Sequence, residues 1–239
     1  MPNDDSGLPG WASALAVVAH PDDESFGLGA VIASFVGAGT RVDVLCLTHG
    51  EASTLHGVQG DLGTIRRREL ADAGEVLGID TIHLLDHPDG RLGDVDLLHL
   101  SEQVSDTATE LGSDGILVFD VTGITGHPDH VRATSAAVLA ARRLGLDVLA
   151  WTLPLDVAGR LNDEFDAGFV GRPPADIDVE LSVDRSRQLD AVVCHPSQAV
   201  PGSALWRRLE LLGDREYLRW LTHVADPATD ERGPRAVGS

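Results

Sequence analysis

The stretch "ALAVVAHPDDESFGLGA" (residues 14–30) decides how the chain is read. Its first six residues are apolar and suit a buried strand. One imidazole and three carboxyl groups follow at once, His20, Asp22, Asp23 and Glu24, and then an apolar run of helical character. Like charges placed this close repel unless a cation sits among them. No lysine can serve, because all 18 basic residues of the chain are arginine.

The same strand-then-helix rhythm continues outward from this point. Strands are expected at 14–19, 41–48, 81–85, 115–120 and 147–153, and helices at 25–39, 63–79, 94–112 and 129–145. The helix over 63–79 carries Leu70, Ala73 and Leu77 on one face. Apolar strands alternating with helices predict an α/β fold, a Rossmann-like three-layer sandwich with a mostly parallel central sheet. In such sheets ligands bind beyond the carboxyl ends of the strands. The segments that follow the first four strands are also the chemically dense ones: "HPDDE", "HGE", "DHPDG" and "DVTGITGHPDH". After residue 153 the rhythm loosens to one alternating strand, "DIDVELSV", and two short helices, "DRSRQLDAVVC" and "ALWRRLELLG". Residues 1–225 are expected to form one catalytic domain, and residues 226–239 a disordered tail.

Composition narrows the function. The chain has 239 residues and a formal net charge of −20, which opposes binding to nucleic acid or to an anionic membrane. Without lysine there is no Schiff base, no phosphate-loop lysine and no lysine general base. Two cysteines, Cys46 and Cys194, make no disulfide framework. No apolar stretch reaches the roughly 18 residues of a membrane span, and the acidic start "MPNDDSG" is no signal peptide. A cytoplasmic location is the expectation, and a homo-oligomer is left open.

Divalent metal chemistry fits the dense segments. Catalytic zinc takes three protein ligands from His, Asp, Glu or Cys and keeps a position for water. His20 and Asp23 are three residues apart at a strand-to-helix turn, and so are His127 and His130 in "GHPDH". That spacing puts each pair on one side of a helical turn. A single His-Pro-Asp run equally suits a helix start, since Pro and Asp favour that position. Two such runs at strand ends shift the balance to a metal site. A third, "HPDG" at 87–90, reads as a turn. His49, His56 and His87 fall in loops near the rim, where exposure is the plainer reading.

"AHPDDE" after the first strand and "GHPDH" near the middle resemble the paired motifs of the PIG-L/LmbE-like deacetylases. "THGE" (48–51), "RRREL" (66–70), "LDHPDG" (85–90) and "HPSQ" (195–198) resemble further landmarks in the same order. The resemblance covers about residues 14–198. It implies a zinc enzyme that removes an N-acetyl group from an N-acetylglucosamine-containing small molecule or glycoconjugate. It implies His20, Asp23 and His130 as metal ligands, Asp22 as general base, His127 as the group that assists the tetrahedral intermediate and Asp129 as the carboxylate that orients it. Arg66 or Arg68 would contact substrate hydroxyls, and His195 would lie against the substrate. Zinc is the expected ion, with Fe²⁺ or Co²⁺ also suited to a His–His–Asp site. Two positions depart from the pattern: Gln188 replaces a frequent lysine, and Thr125 stands where some sugar deacetylases have tyrosine. Outer-shell acceptors for the ligand histidines are sought at Asp120 or Glu51. The alternatives are an amidase acting on a larger thiol-sugar conjugate and a metal-dependent phosphoesterase. A dinucleotide-binding module is disfavoured by carboxylates where a phosphate would sit.

Overall fold

A computed structural model describes residues 7–54 and 60–223. The expected tail and His56 lie outside the described residues. The first half runs β1 (Ser13–Val18), α1 (Gly29–Gly37), β2 (Arg41–Thr48), α2 (Leu62–Leu77), β3 (Ile82–His87), α3 (Leu97–Leu111) and β4 (Gly115–Phe119). A single turn, α4 (Gly123–Gly126), leads into α5 (Pro128–Leu144) and β5 (Asp147–Thr152). Then come α6 (Leu155–Phe165), β6 (Val179–Ser182), α7 (Ser186–Val192), α8 (Ala204–Leu212) and β7 (Arg215–Thr222).

The strands form one sheet in the order β3-β2-β1-β4-β5-β7-β6. β1 to β5 are parallel, and β7 lies antiparallel between β5 and β6. β1 shows why both faces are covered. Ala14, Ala16 and Val18 point into one core cluster with Leu28, Phe35 and Trp151, while Leu15, Val17 and Ala19 point into the other with Leu100, Val104 and Ala137. The period of two puts an apolar side chain on each face in turn, which is why a strand buried on both sides reads as a nearly continuous apolar run.

The elements expected from the first 153 residues all form, with ends displaced by a few residues. The helix expected over 25–39 opens instead with a wide π-type turn, Asp23–Gly27, before α1. Two elements were not anticipated. α6 is amphipathic, burying Val157, Ala158 and Leu161 on one face, but it is short and starts after Pro154 with no capping side chain to mark its beginning. β7 hides its pattern because one inward position is Glu216, which is fully buried between the Trp151 indole N–H (2.7 Å) and the Arg185 guanidinium.

The order of the strands reverses between β1 and β4. The connection from β1 leads away on one side, to β2 and β3, and that from β4 leads away on the other, to β5. The loops leaving these two strands therefore splay apart and open a crevice at their carboxyl ends. His20–Glu24 leave β1 there, and Gly123–His130 leave β4.

Candidate active site

Each loop is locally specified. Asp22 has φ 121°, a conformation that few residues other than glycine adopt, and its backbone N–H donates to Glu24 Oε2 at 2.9 Å. Glu24 is fully buried and is held by His195 Nε2 (2.7 Å) and by the Ser25 hydroxyl (2.6 Å). On the other loop, His127 is the N-cap of α5 and Pro128 its first residue; the His127 Nδ1 accepts the backbone N–H of Asp129 at 3.3 Å. That cap places His130 in the first turn, facing β1.

Three side chains converge. His20 Nδ1 lies 3.2 Å from His130 Nε2. Asp23 Oδ1 lies 3.2 Å from His130 Nε2, and Asp23 Oδ2 lies 3.6 Å from His20 Nδ1. An ion held at ~2.0–2.2 Å by ligands in tetrahedral array separates them by ~3.3 Å. The trio His20, Asp23 and His130 thus has the spacing of a ligand set.

The outer nitrogens are already committed. His130 Nδ1 faces the Gly123 carbonyl at 3.2 Å. His20 Nε2 faces Asp89 Oδ1 at 3.1 Å and Asp129 Oδ2 at 3.3 Å. A proton on each outer nitrogen leaves the inner one with its lone pair turned to the cation position. The Asp129 carboxylate is fixed by the backbone N–H groups of Gly90 (2.8 Å) and Leu92 (3.0 Å). Asp89 is fixed by Ala52 N–H at 2.7 Å.

Electrostatics restate the opening problem. Burial pushes the Asp22 carboxyl up to about 6; the Arg66 cation pulls it back, and the Asp23 and Glu24 charges add to the rise. For His20, burial favours the neutral ring, but hydrogen bonds to Asp129, Asp23 and Asp89 outweigh it and raise its pKa well above the usual value. Burial also raises Asp23, yet the facing His130 and His20 hold it well below the carboxylate range. Four carboxylates, Asp22, Asp23, Asp89 and Asp129, surround two imidazoles, an arrangement that a divalent cation relieves.

Several expectations need revision. Asp129 does not orient the His127 ring through its carboxylate, which is turned to His20 and to the turn at Gly90; it meets His127 only through its backbone N–H. His127 is lowered from its usual value by burial and by His130 and His20, so its neutral form is favoured. Arg68 is exposed on α2 and does not reach the crevice. Arg66, two residues earlier, is buried and donates to the Gly50 carbonyl (2.6 Å) and the Pro21 carbonyl, with Asp22 Oδ2 at 3.2 Å. His195 is fully buried behind Glu24, which makes it a support of the Asp22 turn and not a substrate contact. Asp120 binds Arg172 (2.6 Å) and Arg219 (3.4 Å), and Glu51 accepts the Asp89 N–H at 3.2 Å, so neither holds a ligand histidine. His49 pairs with Asp86, and His87 with Gln103. Gln188 donates to the Ser25 and Phe26 carbonyls, bracing the π-type turn without a charge.

A cavity of about 450 Å³ opens over the trio. Asp22, Asp89 and His127 line its polar end. Phe119, Ile124, Trp151, Phe169 and Leu205 line the rest, with the buried Arg208 among them. Asp89 is the cavity-lining partner of His20 that sequence reasoning set aside as a turn. The signal was present as the third His-Pro-Asp run, but the glycine after it favours a turn, and the turn is what carries Asp89 to His20. Trp151 and Arg208 had no sequence signal, since Trp151 sits in an apolar buried strand and Arg208 on an ordinary amphipathic helix.

Crevice, histidine–aspartate trio and braced carboxylate together give an α/β protein whose switch point gathers side chains that could hold a cation. The family known as PIG-L, GlcNAc-PI de-N-acetylase, matches residues 15–142, and the chain belongs to it. A "Probable N-acetylglucosaminyl-phosphatidylinositol de-N-acetylase" of Schizosaccharomyces pombe is 34% identical over 133 residues, covering 53% of this chain and 50% of that protein. A 1D-myo-inositol 2-acetamido-2-deoxy-alpha-D-glucopyranoside deacetylase of Corynebacterium glutamicum is 34% identical over 164 residues, 59% of this chain and 55% of the other. The chain thus spans about half the length of the curated relatives it matches. Among solved structures, the zinc-inhibited form of teicoplanin deacetylase Orf2 superposes with a TM-score of 0.64 at 22% identity, covering 87% of this chain and 97% of that one. GalB, the 4-carboxy-2-hydroxymuconate hydratase of Pseudomonas putida, also gives 0.64, at 20% identity, over 90% of this chain and 98% of its own. At such identities the likeness is one of fold, and the fold carries more than one chemistry.

Proposed function

We propose that this chain is a metal-dependent N-deacetylase acting on an N-acetylglucosamine-containing small molecule or glycoconjugate. The observation that carries the reading is the His20–Asp23–His130 trio at ligand spacing, with an unliganded carboxylate, Asp22, held next to it in a left-handed backbone conformation. The names of the matched relatives support the substrate class.

Zinc is the ion proposed, with Fe²⁺ or Co²⁺ as substitutes; held there, it would polarise an amide carbonyl and acidify water. The chain's own groups supply the rest. Asp22, a carboxylate beside the proposed metal position and outside the trio, is placed to take a proton from the attacking water and pass it to the departing amine. Glu24 and Arg66 fix its position from both sides. His127 accepts through Nδ1, so its neutral ring carries the proton on Nε2, a donor for the developing oxyanion. Asp89 and Asp129 hold the His20 ring. A phosphoesterase reading loses ground, because Arg66 is occupied by Asp22 and two carbonyls and Arg68 faces solvent.

The test is acetate release by the purified protein from N-acetylglucosamine, its inositol glycoside and N,N'-diacetylchitobiose, before and after chelation. Release from at least one compound, lost on chelation and restored by zinc, is expected. No acetate from any of them with any divalent ion present would overturn the assignment and leave water addition to an unsaturated acid as the competing chemistry.

A further inference from the structure

The far wall of the cavity presents a cation that the mechanism does not use. Arg208 is 3% exposed and lines the cavity from α8, one turn after Leu205. Its guanidinium lies 4.8 Å from the centre of the Trp151 ring. Trp151 packs on Phe119 (5.2 Å between ring centres), and Phe119 meets His130 edge-on at 4.9 Å. Two aromatic rings therefore separate Arg208 from the ligand trio.

Arg208 lacks a counter-ion among the described residues. Nη2 donates to the Phe26 carbonyl, and Nε has no partner. The carboxylate whose charge it feels most, Glu216, is spent on Trp151 and Arg185. Burial lowers its pKa to about 10, which still leaves it charged at neutral pH. A buried, unpaired guanidinium is costly unless an anion meets it. Arginine's planar fork suits carboxylate and phosphate alike.

We propose that Arg208 is an anion-binding subsite, and that the substrate carries a carboxylate or phosphate group beyond the apolar stretch formed by Phe119 and Trp151. The assignment of the substrate's other end to an acetylated amine rests on the deacetylase reading; the subsite itself rests on Arg208.

The experiment titrates the full chain calorimetrically with benzoate, phenyl phosphate and the neutral benzamide, for the wild type, Arg208→Met and Arg208→Lys. A charge-assisted pair predicts that at least one anion binds about 10- to 100-fold more tightly than benzamide. The anion that does so tells carboxylate from phosphate. Arg208→Met should erase the difference and Arg208→Lys should restore part of it. Equal binding of benzamide and both anions by the wild type overturns the subsite, whether or not the variants fold. So does an anion preference that survives in folded Arg208→Met, or one that chelation removes, since the anion would then sit on the metal. The two readings fail separately. Arg208-dependent anion binding without acetate release from any sugar sinks the deacetylase and keeps the subsite. Acetate release with no anion preference does the reverse.

Discussion

Asp22 is where chemistry and backbone strain meet. A non-glycine residue at φ 121° stays there only because its surroundings over-determine it. Here a buried Glu24 takes its N–H and Arg66 faces its carboxylate. The conformation turns the Asp22 side chain toward Arg66 while Asp23 faces His130, which suits the proposed division of base and ligand between adjacent aspartates. Asp22→Asn keeps the shape and removes the base. It should retain metal at wild-type stoichiometry and lose turnover by roughly 10²–10⁴-fold. Metal content by atomic emission, measured beside acetate release, checks this; metal lost together with activity would show that Asp22 is a ligand.

At the scale of elements, the site depends on how closely the β1 turn approaches the end of β4. Gly27 makes the approach possible: a Cβ there would lie 2.3 Å from Phe119 Cζ. The Phe119 ring cannot retreat freely, since His130 and Trp151 pack on it. Gly27→Ala should therefore destabilise the fold by about 1–3 kcal/mol, read as a lower midpoint in urea unfolding with an unchanged slope. An unaltered midpoint would mean that the contact is not tight in solution.

The same elements show what the sequence could reveal. Strands buried on both faces and helices with one apolar stripe are written in hydrophobic period, so β1 to β5 and their helices were legible. So was the meeting of His20, Asp23 and His130, because each contributing segment occupies one turn at a strand end. β7 was hidden by a polar residue whose partners are remote: Glu216 makes sense beside Trp151 and Arg185 and nowhere else. Asp89 and the new partner of Asp129 were hidden for the same reason, whereas the separation of Arg66 from Arg68, two residues apart on α2, follows from helical period alone. A pattern along the chain reports which side a residue faces, not which distant group it meets.

For the whole molecule, the reversal of strand order between β1 and β4 is what unites residues separated by 110 positions, His20 and His130, at 3.2 Å. The carboxylates gathered there repel one another, and the proposed cation would relieve them. Anomalous diffraction from crystals of the purified, active protein, recorded at the absorption edge of the metal it contains, tests this most directly. A peak about 2.0–2.2 Å from His20 Nδ1, His130 Nε2 and an Asp23 oxygen is predicted. An active protein whose metal lies elsewhere, or that gives no peak, would contradict it.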